Sequence, residues 1–273
     1  MSTELLNDVR KADKSQASCP ERFVDVESAA SWTRPEYSGY FKYKYMFESA
    51  IAVCLLAVLW PVILALWLAV KASSPGKGFY TQSRVGLNGR IFKVVKLRSM
   101  CCNAELGGKF RWSNRADSRI TPMGRILRKL HLDELPQLWN VACGEMSLVG
   151  PRPERPEITV SLEKLIPEYH MRHRVKPGIT GLAQVNLEPD VNINSTRKKQ
   201  ILDLRYIENA NTLLDLRLIF ATSLRVIGIP GSTAMGFARL KQEIDHHELK
   251  AIGYEFDTPE KELWNPSMNP DYS

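Results

Sequence analysis

The chain of 273 residues carries only five cysteines, five histidines and one long apolar run. The cysteines are Cys19, Cys54, Cys101, Cys102 and Cys143. Their number is odd, no Cys-x-x-Cys pair exists, and Cys54 lies inside the apolar run. A disulfide framework is not expected, and the pattern fits reduced thiols in a cytosolic compartment. The close histidine pairs, His170/His173 and His246/His247, have no cysteine or carboxylate pattern converging on them, so no zinc site is expected. A mean hydropathy of −0.24 rules out a polytopic membrane protein. Hydrophobic residues make up 44% and charged residues 25%, which excludes wholesale disorder and a collagen-like fibre. Internal repeats and low-complexity segments are also missing.

What is present is a positive excess, +7 over the whole chain, and it is local. Between Lys71 and Gly150 there are 14 basic and 5 acidic residues, so the rest of the chain is slightly acidic. A basic balance implies an anionic partner: nucleic acid, a phosphorylated substrate or acidic lipid. A solvated helix face explains part of the same charge. No nucleic-acid reading motif accompanies it.

The apolar run, Ser49 to Val70, holds 22 residues without a charge. As a straight helix it spans roughly 33 Å, enough for a bilayer core. It starts too far into the chain and runs too long for a signal peptide. Pro61 sits near its middle, where proline bends a helix. Both flanks are basic: Arg34, Lys42 and Lys44 before it, Lys71, Lys77 and Arg84 after it. The positive-inside rule then gives no orientation. A re-entrant helix that turns at Pro61 satisfies both observations. An ordinary single-pass helix with a tolerated proline and a buried helix of a soluble core are the alternatives.

Phe79–Val85 and Arg90–Leu97 read as strands around Gly86-Leu87-Asn88-Gly89, a hairpin signal. In 122–150, Ile126, Leu127, Leu130, Leu135, Leu138 and Trp139 recur at helical spacing and predict one apolar face. Residues 197–228 form another helical stretch, interrupted near Asn209-Ala210-Asn211. Residues 1–35 read as a polar tail, and the acidic stretch from Gly231 as a loosely packed one.

Three motifs carry chemistry. The first is His131-Leu132-Asp133-Glu134-Leu135-Pro136-Gln137-Leu138-Trp139-Asn140. Pro136 is tolerated in a first helical turn, which places Asp133 near the N-cap and Glu134 at the first position. Asp133 as a cap and Glu134 as a dipole complement is one reading. The other uses the same positive helix end to attract phosphate beside an ionised Asp133 able to act as nucleophile. An adjacent carboxylate can hold Mg²⁺ against a diphosphate. The second motif ends in Pro151-Arg152-Pro153. The prolines restrict the backbone and hold the guanidinium for bidentate recognition, though a polyproline surface turn has the same sequence. The third, from Arg172 to Asn186, is a basic turn whose glycines permit close backbone approach.

The ordered set QSRVGLNGRIFKVVKLRSM, RITPMGRILRKLHLDELPQLWNV, GEMSLVGPRP and RHRVKPGITGLAQVN, placed after an apolar segment, resembles the bacterial sugar transferases. These are the monotopic phosphoglycosyl transferases, also called polyprenyl-phosphate hexose-1-phosphate transferases. The resemblance covers roughly residues 40–228. It implies an α+β, mostly helical monotopic membrane protein: a re-entrant helix-break-helix bent at Pro61, and a small β-hairpin in a cytoplasmic catalytic domain. It divides the chain into a polar tail (1–35), a membrane-associated segment (36–77), a catalytic domain (78–230) and an acidic tail (231–273). It implies transfer of a sugar-1-phosphate from a UDP-sugar to undecaprenyl phosphate with release of UMP, beginning exopolysaccharide, capsule, O-antigen or glycoprotein glycan assembly.

Residue by residue, the resemblance makes Asp133 the nucleophile and Glu134 the Mg²⁺ ligand. It places Pro151, Arg152 and Pro153 at the uridine diphosphate. Arg98, Arg125, Arg174, Lys176 and Gln184 complete the candidate substrate contacts. The expected partners are the UDP-sugar, undecaprenyl phosphate and inner-membrane lipid at its cytoplasmic face, without nucleic acid, and a homodimer is left open. Leu187-Glu188 stands where many relatives have Gly-Arg, so no sugar identity follows. The competing class is a non-catalytic membrane adaptor that uses the basic face to bind anionic lipid. Against it stands the carboxylate pair beside a rigid arginine, which lipid binding does not require.

Overall fold

The computed structural model describes residues 39–101, 119–188, 193–244 and 246–251. The polar stretch 1–35 lies outside the described residues. The first element is helix α1, Tyr40–Ser73, rich in the strong helix formers Leu and Ala. It is the one described helix long and apolar enough to cross a membrane. It is not broken at Pro61. A proline removes one backbone hydrogen bond, and flanking turns survive when packing holds them. Here Leu59 and Ile63, on either side of Pro61, both pack on the rest of the protein. The expected helix-break-helix is therefore one helix with an internal proline.

Ala52, Leu56, Leu59, Ile63, Leu66 and Val70 repeat at intervals of three and four and form the inward stripe of α1. The opposite side leaves Phe47, Ile51, Leu55, Val58, Val62 and Leu68 exposed. Both ends of α1 are tied to the same domain. At one end Lys44 Nζ donates to Glu48 Oε1 at 2.7 Å and to Asp215 Oδ2 at 2.6 Å. At the other, Arg98 donates to the carbonyls of Val70, Ser74 and Pro75.

The hairpin follows as β1 (Phe79–Val85) and β2 (Ile91–Leu97), antiparallel, with Val85 opposite Ile91. Asn88 and Gly89 take positive φ of 52° and 75°, which Asn and Gly tolerate best. The stretch 122–150 is not one helix. It divides into α2 (Pro122–Lys129), a 3₁₀ turn (Leu132–Gln137), α3 (Leu138–Ala142) and β3 (Ser147–Val149). His131 takes the left-handed conformation, φ 54°, and redirects the chain, so Ile126 and Trp139 end up exposed rather than on a shared apolar face.

Next come α4 (Pro156–Leu165), a 3₁₀ turn (Tyr169–Arg174), β4 (Gly178–Thr180) and α5 (Leu182–Asn186). β3 and β4 pair in parallel, and a Cβ on Gly178 would collide with the backbone of Gly150. That is the close approach for which the third motif needs its glycines. α6 (Ile193–Asn209) and α7 (Thr212–Val226) are separated where the sequence indicated, and Asn211 caps α7 through Leu214 N. α8 (Gly231–Ala238) and α9 (His246–Ala251) complete the described chain. Ala238 and Leu240 join the core made by β3, α5, α6 and α7. The loose packing expected after Gly231 therefore does not hold for its described part.

Candidate active site

The 3₁₀ turn Leu132–Gln137 carries Asp133 and Glu134 side by side, both buried to 8% exposure. The turn is pinned to the hairpin by Asn140, one helical turn further on. Its side chain accepts from Val95 N at 3.0 Å and donates to Lys93 O at 2.8 Å, filling in for a neighbouring strand along β2. Lys96 on that strand then reaches Glu134. Asp133 was expected at the N-cap, but the cap position belongs to His131, and Asp133 is the second residue of the turn. It makes no side-chain hydrogen bond or ion pair among the described residues, so capping is not its role.

The two carboxylates differ in their surroundings. Glu134 Oε1 accepts from Lys96 Nζ at 2.7 Å and Arg152 Nη2 at 2.6 Å, and Oε2 from Arg152 Nη1 at 3.4 Å. Burial alone would raise its pKa, but Arg152 and Lys96 hold it well below the usual carboxylate range. For Asp133 burial wins, and its pKa is raised even though Lys96, Arg128 and Arg152 oppose the shift. The result is a Glu134 kept ionised by two cations beside an unbonded, more basic Asp133.

Arg152 is held through its backbone. Pro151 O accepts from Gly178 N at 2.9 Å, Arg152 O from Arg172 Nη2 at 2.9 Å, Pro153 O from Arg84 Nη1 at 3.2 Å and Glu154 O from Val85 N at 2.9 Å. Four successive carbonyls are thus anchored to four different points. Arg172 is itself fully buried and bound by Asp203 and Tyr169 OH. Glu154 collects Lys199, Arg84 and Arg172. Behind this frame the Arg152 side chain stays 40% exposed, free to meet a ligand while it holds Glu134.

The other candidates are placed unevenly. Arg98 is buried and engaged at the end of α1, and no bond brings it to the carboxylates. Arg125 is exposed on α2. Lys176 lies over the Tyr45 ring at 4.5 Å, against the first half of α1. Arg174 keeps a buried Nε without a partner, and Gln184 a buried Oε1 without one, although its Nε2 donates to Ile179 O. Three residues absent from the candidate set belong to the site and its surroundings, the first being Lys96, which bonds Glu134 directly. His131 adjoins the carboxylates through the turn. Arg225, at the end of α7, donates to Gln184 O at 2.9 Å and sits close enough to act on His131. Local desolvation lowers the His131 pKa, Glu134 pulls it back up, and Arg225 adds to the lowering. The linear sequence offered no signal for Arg225, which is 92 residues from Asp133.

A donor set for Mg²⁺ is present in part. Among the described residues no group of three His, Cys, Asp or Glu side chains converges. Two adjacent carboxylates fit an ion that takes most of its shell from water and substrate phosphates. Asp133 is unbonded, and Glu134 Oε2 has only the 3.4 Å contact.

A buried carboxylate pair framed by Lys96 and Arg152 thus sits on the domain that carries the apolar helix α1. Residues 39–228 match the profile of the bacterial sugar transferase family, and the chain belongs to it. The UDP-glucose:undecaprenyl-phosphate glucose-1-phosphate transferase of Xanthomonas campestris pv. campestris is 46% identical over 187 residues, covering 68% of this chain and 39% of that protein. The UDP-N-acetylgalactosamine-undecaprenyl-phosphate N-acetylgalactosaminephosphotransferase of Aeromonas hydrophila is 41% identical over 171 residues, covering 63% and 40%. The UDP-glucose:undecaprenyl-phosphate glucose-1-phosphate transferase of Caulobacter vibrioides is 39% identical over 181 residues, covering 66% and 67%. The chain thus spans about two fifths of the length of the first two of these relatives.

Proposed function

We propose that the protein transfers a sugar-1-phosphate from a UDP-sugar to undecaprenyl phosphate and releases UMP. The observation that carries this is the division of labour between an unbonded, buried Asp133 and a Glu134 locked to Lys96 and Arg152. An Asp133 carboxylate oxygen attacks the phosphorus that bears the sugar. The bond from that phosphorus to the bridging oxygen breaks, and UMP departs with the electron pair. A phosphate oxygen of the lipid then attacks the same phosphorus, and the Asp133–phosphorus bond breaks to return the carboxylate. Lys96 and Arg152 stabilise the charge that builds on the phosphoryl oxygens, and their fixed placement spares reorganisation during the reaction. Glu134, together with the diphosphate, would hold Mg²⁺, which neutralises phosphate charge when bound.

In this reading helix α1 holds the chemistry at the membrane. Its two ends are bonded to the same domain through Asp215 and Arg98, and its outer face is apolar. That supports a helix lying in the cytoplasmic leaflet, entering and leaving on one side, rather than one that carries the chain across. Cysteine labelling at Gly39 and Ser74 in intact spheroplasts tests this: both protected from an impermeant reagent is the expected result.

The transfer itself is tested with purified protein and a UDP-sugar labelled in the sugar. Label should remain covalently on the protein without acceptor, map to Asp133 and leave on addition of undecaprenyl phosphate. Full turnover by Asp133→Asn, with deamidation excluded by mass, would refute the assignment. A panel of UDP-sugars scored by UMP release then identifies the donor.

A further inference from the structure

The family match ends at residue 228, yet the chain beyond it is built into the same domain. Helix α5 depends on that addition. Five residues are too few for a helix to stand on its own hydrogen bonds, so groups outside α5 must hold it. Two of them lie at its C-terminal end. Arg225 Nη1 donates to Gln184 O at 2.9 Å, and Gln242 N donates to Asn186 Oδ1 at 3.1 Å. Asn186 Nδ2 turns back to Leu182 O at 2.9 Å, so one side chain joins the helix to the segment outside it. At its other end α5 follows β4, which braces the loop of Arg152 through Gly178 N and Pro151 O. The segment that supplies Gln242 has its own clamp. Arg205 on α6 donates through Nη1 to Gln242 Oε1 at 2.7 Å and Glu243 O at 3.1 Å. Its Nη2 meets both carboxylate oxygens of Glu248 at 2.8 Å. Ala234, Ala238, Leu240 and Leu249 are buried on either side of this clamp. Gly231, the first residue of α8, backs the other partner of α5: a Cβ there would lie 3.6 Å from Arg225 Nε and 3.8 Å from Cζ. Both holds on the end of α5 are thus set by residues after 228.

We infer that α8, residues 239–244 and α9 form a strap that sets one edge of the active site: Arg205 locks the strap, and the strap fixes α5 and the Arg225 guanidinium beside His131. Arg205 is a positioning residue. Its bonds go to the strap and not to the carboxylates. The mechanical link stands apart from the proposed transfer, and only its kinetic consequence rests on that reading.

The test is hydrogen exchange, read by mass spectrometry on the full chain in detergent, joined to kinetics. Arg205→Ala should speed exchange about ten-fold in 181–187 as well as in 231–251, and leave the hairpin 79–97 unchanged. Glu248→Gln keeps the Gln242 and Glu243 contacts, so it should give the same pattern at smaller amplitude, and it decides the matter if Arg205→Ala does not fold. With the donor identified by UMP release, Arg205→Ala should raise KM about three-fold with kcat little changed, and added to Arg225→Ala it should raise KM no further, because the two act through one guanidinium. Faster exchange confined to 231–251, faster exchange throughout the chain in both variants, or an unchanged KM overturns the inference. If no UDP-sugar yields UMP, the proposed transfer fails, while the exchange in 181–187 still decides whether the strap sets α5.

Discussion

Arg172 Nη2 donates to the backbone oxygen of Arg152 at 2.9 Å, so a fully buried arginine sets the loop of the arginine that grips Glu134. Arg172 needs its whole fork for this, because Nε and Nη2 serve Asp203 while Nη1 serves Tyr169. Lysine cannot reproduce that geometry. Arg172→Lys is expected to cost about 100-fold in kcat/KM through misplacement of Arg152, in folded protein. Steady-state kinetics with a circular-dichroism check decide it. Unchanged kinetics would show that the Pro151–Pro153 loop holds itself.

The opposite surroundings of the two carboxylates predict opposite effects on stability. Glu134 is held below the carboxylate range, so it contributes stability above its unfolded pKa, and this is lost as pH falls through the folded value. Glu134→Gln leaves Lys96 and Arg152 without their anion and should cost about 1–3 kcal/mol at neutral pH. Asp133 is raised, so its ionised form is a burden on the folded state above the ordinary Asp range. Asp133→Asn should raise stability by about 0.5–2 kcal/mol while abolishing turnover, the exchange expected of a site built for reaction. Thermal unfolding of both variants in one detergent is the measurement.

The same shift orders the pH profile. As the proposed nucleophile, Asp133 must be ionised to attack, and burial raises its pKa, so kcat/KM should fall on the acid side at a pH above the ordinary Asp value of about 3.9. Lys96 is the strongest influence in the lowering direction. Lys96→Met should therefore move the acid limb to higher pH as well as reduce the rate. An acid limb that stays in place would show that a different group titrates there.

How much of this was legible in the chain depends on the range of the interactions. Asn88-Gly89 announced the hairpin, and Asn209-Ala210-Asn211 the break between α6 and α7, because turn and cap chemistry is local. Asp133, Glu134 and Arg152 were legible as motif residues, but their opposite electrostatics depend on Lys96 across a strand. The course of 122–150 was misread because His131 adopts a left-handed conformation, and a non-glycine residue there leaves no mark in the hydrophobic period. Arg98, one basic residue among many in that block, gave no hint that it closes the end of α1. Tertiary contact alone reveals Arg225.

Arg225 donates to Gln184 O and acts on His131 beside the carboxylates. If its remaining donors meet a substrate phosphate, Arg225→Ala should raise KM for the UDP-sugar about 10-fold, the worth of one charge-assisted hydrogen bond. It should also raise the His131 pKa, because Arg225 lowers it in the intact protein. Kinetics and an NMR titration of labelled histidine separate the two effects. A raised pKa with unchanged KM would confine Arg225 to the surroundings of His131.

The attachment of α1 rests on a charged cluster with little access to water. Lys44 lies between Glu48 and Asp215, Ser147 Oγ closes on Glu48, and Tyr206 OH donates to Asp215 Oδ1 at 2.8 Å. Lys44→Met leaves two buried carboxylates without a cation and should destabilise by about 3–5 kcal/mol. Asp215→Asn keeps a polar partner for Tyr40 and Tyr206 but removes the charge opposite Lys44, and should cost less. In the double variant only the Glu48 charge remains, so the losses should not add, with a coupling of about 0.5–3 kcal/mol. Thermal unfolding of the four proteins in one detergent gives that coupling. Strict additivity would show that Lys44 and Asp215 act apart, and that their ion pair adds nothing to the attachment of α1.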